Sequence, residues 1–161
     1  MKYTVKGTHN KHFELFTEAG EALGKLDYTS WFSTKSAIIL QSGKEYEIGS
    51  TGIFQTSVEI TSGDTEIGSL KFNWKGQIIL TLTGGHAYIF RRVGFINGHF
   101  GLFTAHDKEI IILRQHFKLS ELSFNYTIET DDNYTEGKDI SLLLLLIYCA
   151  NYMHSMGMGA A

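Results

Sequence analysis

The sequence has no proline and a single cysteine, Cys149. One thiol cannot form an intrachain disulfide, which suits a reducing compartment. No Pro/Ser-rich linker interrupts the 161 residues, so they read as one domain, 1–161, long enough to bury roughly two-thirds of the unfolded surface. The formal net charge is only −3, with acids and bases interspersed. The clustered basic footprint that nucleic acid demands is missing, so nucleic acid is not an expected partner. The stretch from Met1 to Gly7 lacks the apolar run of a signal peptide and alternates like a strand. A cytoplasmic location is therefore expected, and the acceptor patterns at Asn125 and Asn133 are not expected to carry glycans.

Catalytic signatures are absent too. There is no Gly-x-Ser-x-Gly elbow, no phosphate-cradling loop ending in Lys-Ser/Thr, no Gly-x-Gly-x-x-Gly and no His-Glu-x-x-His. The seven histidines show no metal-ligand spacing: His9, His12, His86 and His116 are scattered, and His99 and His106 flank a Gly- and aromatic-rich segment. They read as surface and loop residues.

What the chain has is oil at its C-terminal end. Ile140 to Ala150 contains no Gly, no Pro and no charge, and its leucines are too dense for one face of an amphipathic helix. Such a helix, about 139–156, must be surrounded. Lys138, Asp139 and Ser141 offer polar groups at its start, where a carboxylate also suits the helix dipole. Within it Cys149 reads as a small core residue, and His154 is expected to hydrogen-bond near the end of the core.

Everything upstream reads as short strands separated by turn signals. His12 to Thr17 alternates, Glu18-Ala-Gly20 turns, and Glu21 to Tyr28 returns. Ile53 to Thr61 has a dry face with Phe54, Val58 and Ile60, and Glu66 to Trp74 aligns Leu70, Phe72 and Trp74. Asn97-Gly98 is the strongest short hairpin signal. Trp31 and Phe32 are expected to cover one end of the core.

These two halves constrain each other. About twelve antiparallel strands would expose edges unless they closed, and a barrel that wide cannot be filled by its own side chains. A helix about 10 Å across can fill it. The expected fold is therefore mainly β, a closed antiparallel barrel of about twelve strands around a hydrophobic C-terminal α-helix. The rival for 140–161 is a tail anchor, because the stretch carries no formal charge and approaches the roughly 20 residues that a bilayer span requires. Its dense apolar part ends at Ala150, which favours burial.

The order of these features resembles the tubby C-terminal-like superfamily, and most of all its phospholipid scramblase and LURP-one-related branch. The residues that carry the resemblance are Phe13 to Lys25, Gly43 to Ile48, the acidic loop 131–139 and the terminal oily helix. The resemblance implies a barrel around a C-terminal helix and a non-enzymatic role. It also implies calcium ligands in the acidic segment, which would be Asp131, Asp132, Asn133, Glu136 and Asp139. Oxygen donors on a loop suit calcium, although Glu136 occupies the position where an EF-hand needs Gly. Relatives that hold phosphoinositides use basic surface residues. Here Arg91 and Arg92 are adjacent in a strand, so only one can face outward.

The expected function is a non-enzymatic binding or scaffolding module whose partner is a protein or a membrane lipid. The alternatives are a phospholipid-binding or scramblase-like protein at the membrane surface, tail-anchored or not, and an uncharacterised barrel enzyme. No cofactor other than calcium is expected.

Overall fold

A computed structural model describes residues 1–29, 35–51 and 57–155. The chain forms twelve strands and one long helix: β1 Lys2–Thr8, β2 His12–Thr17, β3 Ala22–Tyr28, β4 Ser36–Leu40, β5 Glu45–Thr51, β6 Ser57–Ser62, β7 Thr65–Phe72, β8 Ile78–Leu82, β9 Ala87–Val93, β10 His99–Phe103, β11 Glu109–Lys118, β12 Ser123–Thr130 and α1 Ile140–Ser155. Each strand pairs antiparallel with the next, and β1 closes the ring on β12 through Lys2↔Glu129 and Tyr3↔Ile128. The result is the expected closed antiparallel barrel with its C-terminal helix.

Alternation decides which face is which. In β1, Tyr3, Val5 and Gly7 are buried while Lys2, Thr4 and Lys6 are exposed. The wall therefore shows charge outside and oil inside. The helix is buried from Leu142 to Ala150 without interruption, which covers every direction around its axis. Its neighbours lie far apart on the ring: Tyr28 of β3 stacks on Tyr148, Phe72 of β7 stacks on Tyr152, and Phe124 of β12 meets His154 edge-on. Each fully buried leucine contributes about 1.5–3 kcal/mol.

Two glycines set how closely the parts approach. A Cβ at Gly24 would sit 3.1 Å from Leu144 Cδ1, so β3 can lie tight against the helix. At Gly7 a Cβ would collide with the carbonyl oxygen of Phe124, so only glycine lets the seam close there. The helix start is capped as expected. Asp139 Oδ1 accepts from the Leu142 amide at 3.2 Å and from the Ser141 hydroxyl at 2.6 Å.

Two expectations need correction. Trp74 is not on the dry face of β7. The strand ends at Phe72, and Asn73 takes the chain into a turn that leaves Trp74 90 % exposed. The apolar run from Glu109 to Arg114 reads as a strand in the sequence, and β11 continues four residues beyond it, to Lys118. Over the described part of 140–161 the favoured reading, burial, describes α1: Leu142 to Ala150 are enclosed by the wall. Among the described residues no helix is long and apolar enough to cross a membrane. The expectations for Trp31, Phe32 and Phe54 lie outside the described residues.

Candidate docking mouth

An up-and-down barrel sends alternate connections to opposite ends. The β1–β2, β7–β8, β9–β10 and β11–β12 turns share one mouth with the end of α1. The 131–139 loop and the start of α1 lie at the other mouth, with the β2–β3, β4–β5, β6–β7, β8–β9 and β10–β11 turns.

The two mouths differ in chemistry. Trp74, Phe95, Ile96, Phe117, Leu119 and Leu122 are exposed large hydrophobics, and all belong to the first mouth. Among the described residues only Met1 is exposed in this way at the other end. Single exposed apolar residues are ordinary, whereas a contiguous group marks a contact surface. The group here is clustered on neighbouring turns. Its three turns are consecutive on the ring, and hairpins two strands apart sit about 10 Å from each other.

Local chemistry holds these side chains outward. Asn73 Oδ1 accepts from the amides of Lys75 and Gln77, each at 3.0 Å, which locks an Asx turn with Trp74 at its apex. Lys75 Nζ lies 5.6 Å from the centroid of the Trp74 ring. Phe95 and Ile96 are 79 % and 84 % exposed at the tip of β9–β10, between Gly94 and Asn97, both of positive φ. The Asn97-Gly98 hairpin signal falls at this turn. In the third turn, a short 3-10 segment, Leu119–Glu121, ends at Leu122 with φ of 47°. A bulky residue in the left-handed region is uncommon and costs energy, which the surrounding structure must offset.

At the inner side of this mouth, Phe117, Phe124 and His154 form a ladder of rings with centroids 5.3 and 4.5 Å apart. The contact of His154 is thus aromatic, where a hydrogen bond was expected. Below it, Asn151 joins the helix to the wall. Its Oδ1 accepts from the Tyr126 hydroxyl and its Nδ2 donates to the Tyr28 hydroxyl at 3.1 Å.

The other mouth is acidic. Its calcium candidates are neighbours in sequence but hold different structural posts. Asp131 Oδ1 accepts from the amide and side-chain nitrogen of Asn133, at 3.0 and 2.8 Å, and these bonds hold its carboxyl below the ordinary range. Asp132 Oδ1 is 2.6 Å from the Met1 ammonium. Glu136 accepts from the Tyr88 hydroxyl at 2.6 Å, and Asp139 caps α1. Among the described residues, no three His, Cys, Asp or Glu side chains converge as a metal site.

Other polar side chains pair along the wall. His99 Nε2 lies 2.7 Å from Glu109 Oε1, and His12 Nδ1 lies 2.8 Å from Asp27 Oδ1, both pairs tying adjacent strands. Arg91 stacks over Phe103 at 3.9 Å and Arg92 over Phe100 at 5.8 Å. Arg92 alternates inward with Tyr88 and Phe90, so the expectation of opposite faces holds. A shallow groove of about 340 Å³ runs over the outer ends of β4, β5 and β6, lined by Glu47, Gly49, Glu59 and Thr61. Cys149 is fully buried, and burial pushes its thiol pKa up, so it is no nucleophile in the folded state.

The mouth escaped the sequence reading because each turn was read alone. A usable signal was there: apolar residues inside Asn/Gly turns, Trp74 next to Asn73 and Phe95-Ile96 between Gly94 and Asn97.

No protein-family model matches the chain, and no curated protein matches it. A solved X-ray structure of an Arabidopsis thaliana protein is similar, with a TM-score of 0.53 over 91 % of this chain and 90 % of that one. At 12 % identity, that likeness shows the shared fold alone.

Proposed function

We propose that the protein is a non-enzymatic binding module of the tubby-like, LURP-one-related kind, and that it docks through its apolar mouth. The observation that carries this reading is the gathering of Trp74, Phe95, Ile96, Phe117, Leu119 and Leu122 at one end of the barrel. The helix supports it by filling the lumen, where a barrel of this width would otherwise hold a ligand. Recognition is then left to the mouths and the outer wall.

Burying Trp74, Phe95 and Ile96 contributes about 1.5–3 kcal/mol each before the cost of association. Docking by these tips is therefore weak and reversible. The test is a photo-crosslinking amino acid at exposed Ser120, in the β11–β12 turn, and at exposed Ser42, in the opposite β4–β5 turn. Adducts in expressing cells should form from position 120 and be lost with Trp74→Ser and Phe95→Ser. Equal labelling from position 42 would refute the reading.

A further inference from the structure

We propose that the partner at this mouth is the surface of an anionic phospholipid bilayer, selected by its charge and not by a particular head group. The inference rests on the docking mouth proposed above and names what it docks to.

Shape comes first. Trp74, Phe95 and Ile96 stand at the apices of tight hairpins and project as separate points. A rigid protein partner would need a pocket for each, whereas the interfacial region of a bilayer accepts convex tips without matching them. Trp beside Lys is also the pairing suited to that depth. The indole sits at head-group level while the lysine stem lies along apolar surface and keeps its ammonium in water. Lys75 is placed over the Trp74 ring in this way.

Charge runs along the barrel axis. The described connections at the apolar mouth carry Lys11, Lys35 and Lys75 against one acid, Glu121, which pairs with Lys118 of β11. The opposite mouth carries Glu18, Glu21, Asp64 and Asp107 with the acids of the 131–139 loop, which outnumber Lys44, Lys108 and Lys138 there. An anionic surface attracts the first end and repels the second, so the field orients the barrel before the tips touch. Selectivity for one head group would need cations converging on a phosphate. Instead the mouth lysines sit on separate turns, Arg91 is paired with Asp107, and Arg92 faces Phe100.

The experiment is flotation of the full chain with vesicles of phosphatidylcholine alone, or doped with phosphatidylserine or, at equal mole fraction, phosphatidylglycerol. An environment-sensitive fluorophore is placed on Ser120→Cys or Ser42→Cys. Cys149 is fully buried and does not compete for the label. The protein should float equally with both anionic mixtures and not with phosphatidylcholine alone. The probe should shift to the blue at position 120 and stay unchanged at position 42. Trp74→Ser should weaken binding about tenfold or more, and Lys75→Glu at least about fivefold. Both positions are exposed, so an unchanged melting temperature confirms the fold.

Absence of flotation, preference for one anionic head group, or indifference to Trp74→Ser overturns the inference. If flotation fails while position 120 still crosslinks to a polypeptide, the lipid surface is wrong and the docking mouth stands. If the protein floats with the probe at position 42 responding, both fall.

Discussion

Ser123 and Asn10 bond each other twice across the seam that closes the barrel. The Ser123 hydroxyl donates to Asn10 Oδ1 at 3.0 Å and accepts from the Asn10 amide at 3.1 Å. Asn10 Oδ1 also accepts from the Phe124 amide at 3.1 Å, and Asn125 Oδ1 accepts from the Gly7 amide at 2.9 Å. The regular ladder between β1 and β12 ends at Val5↔Tyr126, so side chains complete the seam toward the apolar mouth. Asn suits this position because its backbone is left-handed, with φ of 54°.

Replacing Asn10 by Ala removes the side-chain acceptor shared by the fully buried Ser123 hydroxyl and the Phe124 amide, and leaves only the backbone bond from residue 10 to Ser123 Oγ. The loss should be about 1–3 kcal/mol, seen as a lower urea midpoint. Hydrogen exchange should accelerate first at Gly7 and Phe124. Uniform acceleration around the ring would show that the seam is not the weak point.

The helix and the wall keep each other dry, so the core should answer to either. Leu146 is fully buried at the centre of α1, and Leu146→Ala should cost about 2–5 kcal/mol by leaving a cavity in the lumen. A chain ending before Ile140 should not fold. A soluble truncated chain with native strand content would show that the wall closes by itself.

Alkali should unfold the protein more readily than mild acid. Burial first, and the bond to Glu136 second, push the Tyr88 phenol from 10.0 up to about 12. Burial also raises Tyr28, Tyr126 and Tyr148. A raised folded pKa means the folded state holds its proton longer than the unfolded state. That contribution is complete below about pH 10 and is lost as pH rises from there through 12. Denaturation midpoints should fall across that window, and the tyrosinate absorbance of these four residues should appear together with loss of the fold. Independent titration of these tyrosines in a folded protein would contradict the burial described here.

Cys149 reports the integrity of the lumen. Its sulfur is fully buried and its thiol pKa is raised by desolvation. A disulfide-exchange reagent should leave the native protein unmodified, and the labelling rate should rise with urea in step with global unfolding. Rapid stoichiometric labelling in native buffer would mean that α1 leaves the barrel.

Much of the architecture was legible locally. Alternation in Lys2 to Gly7 and Ser123 to Thr130, turns at Gly20, Gly43 and Asn97-Gly98, and an oily run from Ile140 are written within a few residues each, because side-chain direction in a strand or helix is a near-neighbour property. The limits of that reading show at Trp74. Period two continued through Asn73 on paper, but the side chain of Asn73 captured the amides of Lys75 and Gln77 and turned the chain. The acidic loop shows the same limit, since what Asp132 and Glu136 bond was set by Met1 and Tyr88, far away in the sequence.

The sequence by itself determined the strands, their dry and wet faces, and a helix that water could not surround. From these a closed barrel around α1 followed, since burying all that oil leaves few other arrangements. Only the tertiary structure decided that Asn10 stitches the seam, that the carboxylates at 131–139 serve separate posts, and that Trp74, Phe95, Ile96 and Leu122 meet on one rim. Those relations join residues tens of positions apart, and they come into being only when the ring closes and brings distant turns to the same end.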